Sequence, residues 1–266
     1  MQGDREGQEI VAEAGRAVGA ERGCRLRLMP MVRLAVDGAE VRLPQGLSSL
    51  VVAVTLEPGG VGRRALQGRM WPDQPPEAAA KRLRQMLWRI RAATDGRLLD
   101  VSGDQVRLAD HVEVDLRVAE RVARQVIESD GAASADRTLL GTELLVGWSD
   151  ADVLGARDRW NRLRLLALER LAEESLRAGA VLAAIELADL ATKADEFAET
   201  AYRVMASAHL LRGDHAGALR VYGGYRRLLD RELGLEPSPG FRELLGRGGV
   251  ARSPRKRPGR GAVLAS

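Results

Sequence analysis

Residues 77–94, EAAAKRLRQMLWRIRAAT, carry the pattern that most limits what this chain can fold into. At 100° per residue, Leu83, Leu87 and Ile90 fall on one side of a helix, with Ala79, Ala80 and Thr94 beside them. Lys81, Gln85 and Trp88 face the other way. Arg82 and Arg89 flank that outer face on one side, Arg84 and Arg91 on the other. Pro75-Pro76 and Glu77 suit a helix N-terminus. Behind the helix, Leu98–Val101 and Gln105–Leu108 read as two strands joined by Ser102-Gly103-Asp104. A helix held by an apolar stripe leaves an Arg/Lys/Gln surface about one DNA groove wide, with guanidinium forks for guanine edges and phosphates and an amide for adenine. A merely solvated face on an amphipathic helix has the same pattern, so the context has to separate the two.

That context is ordered. LRL (26–28), VRLAV (32–36) and VRL (41–43) read as three short strands, with Asp37-Gly38 as a hairpin turn. LSSLVVAVTL (47–56) is an apolar helix ended by Glu57-Pro58-Gly59-Gly60, and Arg63–Met70 is a second helix closed by Trp71-Pro72-Asp73. Strands, three helices and a hairpin make a winged helix-turn-helix, whose third helix enters the major groove while the hairpin lies near the backbone or minor groove.

Beyond Asp115 the strand signals stop. Leu116–Glu128 and Arg137–Val146 read as helices, and a repeat appears from Arg157 onward. Gly179 and Gly213 are 34 residues apart, and in that register Leu168 matches Tyr202, Leu171 Met205, Ala172 Ala206, Leu176 Leu210, Ala184 Ala218 and Ile185 Leu219. A 34-residue helix-turn-helix period is that of tetratricopeptide repeats, which stack into a solenoid with a concave groove. Tyr222 and Tyr225 fit the repeat core, and Trp160, Leu163 and Leu166 read as helical packing. The fold class is thus an α+β winged helix-turn-helix domain, residues 26–115, followed by an all-α TPR-like domain, residues 116–246. Residues 1–25 read as a disordered extension and 247–266 as a disordered basic tail.

Charge narrows the footprint. The sequence pI is about 9.7, yet six of the 41 basic residues fall in 247–266, which holds no acid; without them the bases no longer outnumber the 37 acids. The electrostatic footprint is therefore local, and residues 77–94 supply it with five bases against Glu77. The single cysteine, Cys24, excludes an internal disulfide and a multi-cysteine zinc site. His111, His209 and His215 lack ligand spacing, so no metal or cofactor is expected. No catalytic set is visible, so no enzyme is expected either. With no apolar run of roughly 20 residues and no apolar signal region, the expected location is cytoplasmic, on the nucleoid, with no membrane partner.

Several segments carry a resemblance to a known family. VRLP (41–44), LEPGG (56–60), WPD (71–73), AAAKRLRQMLWRIR (78–91), LLDVSGDQVRL (98–108) and VEVDL (112–116) resemble an OmpR-type winged helix. Residues 155–179 and 212–245 resemble the bacterial transcriptional activator domain, YRRLLDRELGLEPSP (225–239) being the most specific stretch. Together they resemble the SARP family, actinobacterial activators of antibiotic and other specialised-metabolite gene clusters, and in lacking a GxxxxGK[ST] loop the chain resembles its short members. The resemblance implies binding to promoter direct repeats in double-stranded DNA. It also implies recruitment of RNA polymerase through the sigma factor and core subunits, with the repeat domain supporting a homodimer.

In that setting Lys81, Arg84, Gln85 and Trp88 are the base-contacting candidates. For Trp88, stacking on sugars or thymine methyls and packing against the C-terminal domain both stay open. Arg63, Arg64, Arg82, Arg89, Arg91 and Arg107 are the phosphate-contacting candidates. Two departures stand in the second helix: Gly62 replaces the family's usual hydroxyl cap, and Gly68 sits inside, where glycine costs roughly 1 kcal/mol against alanine. They predict a short or frayed helix and motivate an alternative, a TPR-like protein-interaction adaptor with a degenerate winged helix.

Overall fold

The computed structural model describes residues 23–128 and 138–248. Residues 1–22 and 249–266, which hold most of the N-terminal extension and of the basic tail, lie outside them. The described chain divides into two compact units, with the division at Arg164/Leu165.

The first unit begins with a meander. β1 (Cys24–Arg27), β2 (Arg33–Val36) and β3 (Ala39–Val41) pair antiparallel. Asp37 and Gly38 both have positive φ, 50° and 81°, which matches the twist of the flanking strands in a two-residue hairpin. The sheet starts at Cys24, which is buried and pairs with Val36, so residues 24 and 25 belong to the fold and not to an extension.

Three helices follow: α1 (Gln45–Thr55), α2 (Arg63–Met70) and α3 (Pro76–Ala93). α1 buries Leu47, Leu50, Val51 and Val54; α2 buries Leu66; α3 buries Ala79, Leu83, Leu87 and Ile90. Burying each of the valine, leucine and isoleucine side chains contributes about 1.5–3 kcal/mol, which is what orients α3. α2 is neither short nor frayed. It spans all eight residues expected of it, although Gly62 offers no side-chain cap.

The reason lies in a second sheet, ordered β4 (Val61–Gly62), β6 (Gln105–Leu108), β5 (Leu99–Ser102). β4 precedes α2 and pairs with β6, Val61 opposite Val106. Just before it, Gly60 has φ +82°, and a Cβ there would come within 2.9 Å of the Arg107 Cβ and 3.0 Å of the Val106 carbonyl oxygen. Only glycine lets the two chains approach so closely.

β7 (Glu113–Val114) then joins the first sheet parallel to β1, and α4 (Asp115–Glu128) leaves from it. The Asp115 carboxylate accepts hydrogen bonds from the N–H groups of Leu28, Met29 and Leu116, at 2.9, 3.0 and 2.8 Å. Burial raises its carboxyl above the usual carboxylate range, and those three bonds and Arg27 only partly offset it.

Residues 138–146 are turns, not the helix expected from Arg137 to Val146. Their backbone is engaged elsewhere: Leu145 donates to the Leu28 carbonyl and Val146 to the Pro30 carbonyl. α5 (Ala151–Arg177) holds the same segment from the other side. Its Arg157 donates to the carbonyls of Leu144, Leu145 and Trp148, and its Trp160, 1% exposed, donates to the Thr142 carbonyl at 3.0 Å. Periodicity alone reads such an apolar run as a helix; the acceptors at β1's exit and the donors on α5 decide otherwise. Residues 138–164 accordingly count with the winged helix, beyond the boundary expected at 115/116.

The second unit comprises α5 from Leu165, α6 (Val181–Ala194), α7 (Glu199–Leu211), α8 (His215–Leu233) and α9 (Pro239–Gly248). Gly179 and Gly213 turn the two helix pairs with nearly equal φ, 74° and 73°. Ala172 and Ala206, and Ala184 and Ala218, are all buried at matching positions. The register departs at Leu219, 59% exposed opposite half-buried Ile185, and Leu166 is also exposed, while Arg164 takes a buried place on α5. Burial lowers the Arg164 pKa, Glu143 opposing the shift.

The most specific sequence stretch closes this unit. Tyr225 stacks on Tyr202 at 4.4 Å between ring centroids, and Phe241 packs beside it. The Tyr225 hydroxyl donates to the Phe197 carbonyl, and burial pushes its pKa up to about 12. Gly234 ends α8 in the left-handed conformation. Ser238 donates from its N–H and its hydroxyl to Glu199, which ties the start of α9 to α7. α9 runs to Gly248, so residues 247 and 248 are helical rather than tail.

Candidate nucleic-acid interface

α3 presents the outer face predicted for it. Lys81, Arg82, Arg84, Gln85, Arg89 and Arg91 are exposed, and Trp88 is 69% exposed. Leu83, Leu87 and Ile90 anchor the opposite side, and the buried Thr94 hydroxyl donates to the Ile90 carbonyl at 2.8 Å. Among the described residues, none of the five bases of this helix forms an ion pair with a carboxylate. A basic face without internal partners keeps its charge available to an external polyanion.

The candidates separate into groups once packed. Arg84, Trp88 and Arg91 line a cleft against the wing strand β5, together with Arg63 from the first residue of α2. Lys81 and Gln85 are not in that cleft. Arg64 lines a different hollow, with Gln67, Gly68, Trp71, Pro72 and Gln74, between α2 and the start of α3. Arg107, in the wing, differs from the rest: it is bonded to Asp100 at 3.1 Å and lies 3.7 Å from Asp110, so its charge is already balanced. Gln105 beside it is exposed.

One functional feature went unseen in the sequence. The Arg63 N–H donates to the Asp104 carbonyl oxygen at 2.8 Å, so the wing turn caps the first turn of α2. A backbone acceptor leaves no mark in side-chain identity. Arg69 at the other end of α2 joins Glu57 at 3.0 Å and Asp152 at 3.3 Å. Both ends of the helix preceding α3 are thus held.

Among the described residues, no cluster of three His, Cys, Asp or Glu side chains could hold a metal ion, and no helix is long and apolar enough to cross a membrane.

A winged helix with a free basic helix face, followed by paired helical repeats, defines a transcription regulator of modular build. Comparison with known proteins gives the family. The model of the bacterial transcriptional activator domain matches residues 104–247, more than half of the chain. The chain belongs to that family of bacterial activators, the SARP type. It is 31% identical over 198 residues to the regulatory protein AfsR of Streptomyces coelicolor, covering 69% of this chain and 20% of that protein. Against the regulatory protein AfsR of Streptomyces griseus it is 26% identical over 197 residues, with the same coverage. The chain thus spans about a fifth of the length of these curated relatives. The solved structure of Mycobacterium tuberculosis EmbR in complex with a low affinity phosphopeptide has the same fold. Its TM-score is 0.66 at 20% identity, covering 86% of this chain and 65% of that one.

Proposed function

We propose that this protein activates transcription by binding double-stranded DNA through α3, with Lys81 and Gln85 facing base edges and Arg82 and Arg89 on flanking phosphates. One observation carries this reading: an exposed face of bases and an amide, without carboxylate partners among the described residues, on a helix fixed by four buried side chains. Arg64, at the first turn of α2, is placed for a further phosphate, and Arg107 contributes least because two acids hold it. The action is binding rather than catalysis, with neither metal nor cofactor. By analogy with the family, the targets are direct repeats in promoters of a specialised-metabolite cluster. The helical unit then contacts RNA polymerase, through sigma and core subunits, or a second copy of the chain, and the protein resides on the nucleoid in the cytoplasm.

The test is a gel shift of the purified protein on the intergenic DNA beside its own gene, at two salt concentrations with competitor DNA. A retarded band that survives competitor and weakens with salt is expected. No band at either salt concentration refutes the DNA-binding reading and leaves the interaction adaptor; the full-length α2 supports the first of the two.

A further inference from the structure

The cleft between α3 and β5 has a volume of about 240 Å³. Leu87, Ile90, Leu99 and Val101 give it apolar walls, and Arg63, Arg84 and Arg91 give it charge; no acid lines it. Arg91 is laid over Gly96, whose added Cβ would sit 3.7 Å from the Arg91 Cγ and Nε. Arg63 is half-buried, and its Nε is out of solvent without a hydrogen-bond partner among the described residues. A guanidinium nitrogen out of solvent without an acceptor is costly, and three like charges lining one hollow repel one another. An anion seated among them relieves both costs.

Geometry names the anion. A duplex read by α3 in its major groove, with the wing over the adjoining minor groove, carries between those two elements the strand that separates the grooves. The cleft lies between the same two elements. A deoxyribose suits the apolar walls beside Trp88, and a phosphate suits guanidinium forks. We infer that the cleft seats one phosphodiester of that strand, gripped jointly by Arg63, Arg84 and Arg91, so that Arg84 positions the duplex and does not read a base. This rests on the DNA-binding reading above and sharpens it.

Sharing one phosphate has a measurable signature. The salt dependence of binding counts phosphates neutralised, with a slope of about −0.9 for each. Removing one of three arginines leaves the phosphate neutralised by the other two. Single changes Arg63→Ala, Arg84→Ala and Arg91→Ala therefore reduce the slope by well under one and leave sequence preference intact. The triple variant reduces it by about one. Val101→Asp places a carboxylate in the cleft and weakens binding by about tenfold or more, since like-charge juxtaposition is strongly unfavourable.

The experiment is fluorescence anisotropy of the whole chain on a labelled duplex from its own upstream DNA, over a salt series. Melting curves by circular dichroism check that each variant is folded. A second readout uses duplexes carrying one neutral methylphosphonate at successive positions: beside the drops at the phosphates of Arg64, Arg82 and Arg89, one further backbone position lowers the affinity of the wild type and has no effect on the triple variant. Each of three results overturns the shared seat: every single change lowering the slope by about one, Arg84→Ala relaxing preference at one base position, or the triple variant leaving the slope unchanged. Wild-type protein that binds no duplex at all removes the DNA reading itself, which separates the two failures.

Discussion

The Arg63 N–H and the Asp104 carbonyl oxygen, 2.8 Å apart, join the start of α2 to the turn of the wing. Helix N-termini leave their first N–H groups unpaired, and a Ser, Thr or Asp side chain normally satisfies one. Here Gly62 has no side chain to offer, and the hairpin's backbone replaces it. The wing is therefore part of the framework that positions α2 and, after it, α3.

With that end of α2 held, Gly68 is the remaining weakness of the helix. It is exposed, and a Cβ there would meet nothing within 4 Å. Gly68→Ala is expected to stabilise the first unit by about 0.5–1 kcal/mol without changing DNA affinity. Urea denaturation followed by far-ultraviolet circular dichroism measures it; a lower midpoint would contradict the open surroundings of this position.

Leu83 is 1% exposed and central to the anchored side of α3. Leu83→Ala should cost about 2–5 kcal/mol, through lost burial and the cavity left behind. Binding is expected to fall with the folded fraction, so gel shifts below the unfolding midpoint should recover near wild-type affinity. Persistent loss in fully folded protein would instead assign Leu83 a direct part in the interface.

Gln85 and Arg89 should behave differently on DNA. Gln85→Ala is expected to cost roughly 1–3 kcal/mol on the preferred site and to relax the preference at one base position. Arg89→Ala should weaken all sequences evenly and lower the salt slope by about one. Selection from randomised duplexes, run in parallel with salt titrations, compares them. Interchanged behaviour would mean that the face is rotated about the helix axis.

Trp160 belongs to a helix that the sequence pattern places in the repeat domain, yet its indole is buried in the first unit and bonded to Thr142. Trp160→Ala should cost about 3–5 kcal/mol. The loss should appear in the winged-helix unit, as faster hydrogen exchange in residues 24–36 and 138–148. Protection lost only beyond Leu165 would refute this placement.

Asp214 caps α8, its carboxylate accepting the Gly217 N–H at 2.7 Å with His209 at 3.0 Å. The Gly217 bond holds its carboxyl below the ordinary carboxylate range; burial opposes it, and His209 and Arg220 add to the lowering. A depressed carboxyl stabilises the fold above its unfolded pKa, and that stability is lost as pH falls through the folded value. Asp214→Ala should melt below wild type at neutral pH, and the gap should close in acid. A gap independent of pH would mean that the charge contributes nothing.

Much of α3 was legible in the sequence because burial on a helix has a 3.6-residue period, and Leu83, Leu87 and Ile90 keep it without interruption. The hairpin Asp37-Gly38 and the turn glycines 179 and 213 were legible for a related reason, since positive φ selects those residues. The run before Val146 misled, because an apolar stretch bonded through its backbone to β1's exit and to Arg157 has no periodicity that marks it as a turn. The site was legible only as a list. On a helical wheel Lys81, Gln85 and Trp88 share the outer face and Arg84 flanks it; the neighbouring β5 takes Arg84 and Trp88 into the cleft and leaves Lys81 and Gln85 outside.

By itself, the sequence determined the local elements, the apolar side of α3 and the 34-residue helical period, since each depends on residues close together in the chain. Only the tertiary structure decided what caps α2, where the first unit ends along α5, and which arginines converge. Those outcomes depend on backbone acceptors and side chains brought together from distant positions: Asp104 to Arg63, Leu28 to Leu145, and Arg63 to Arg91.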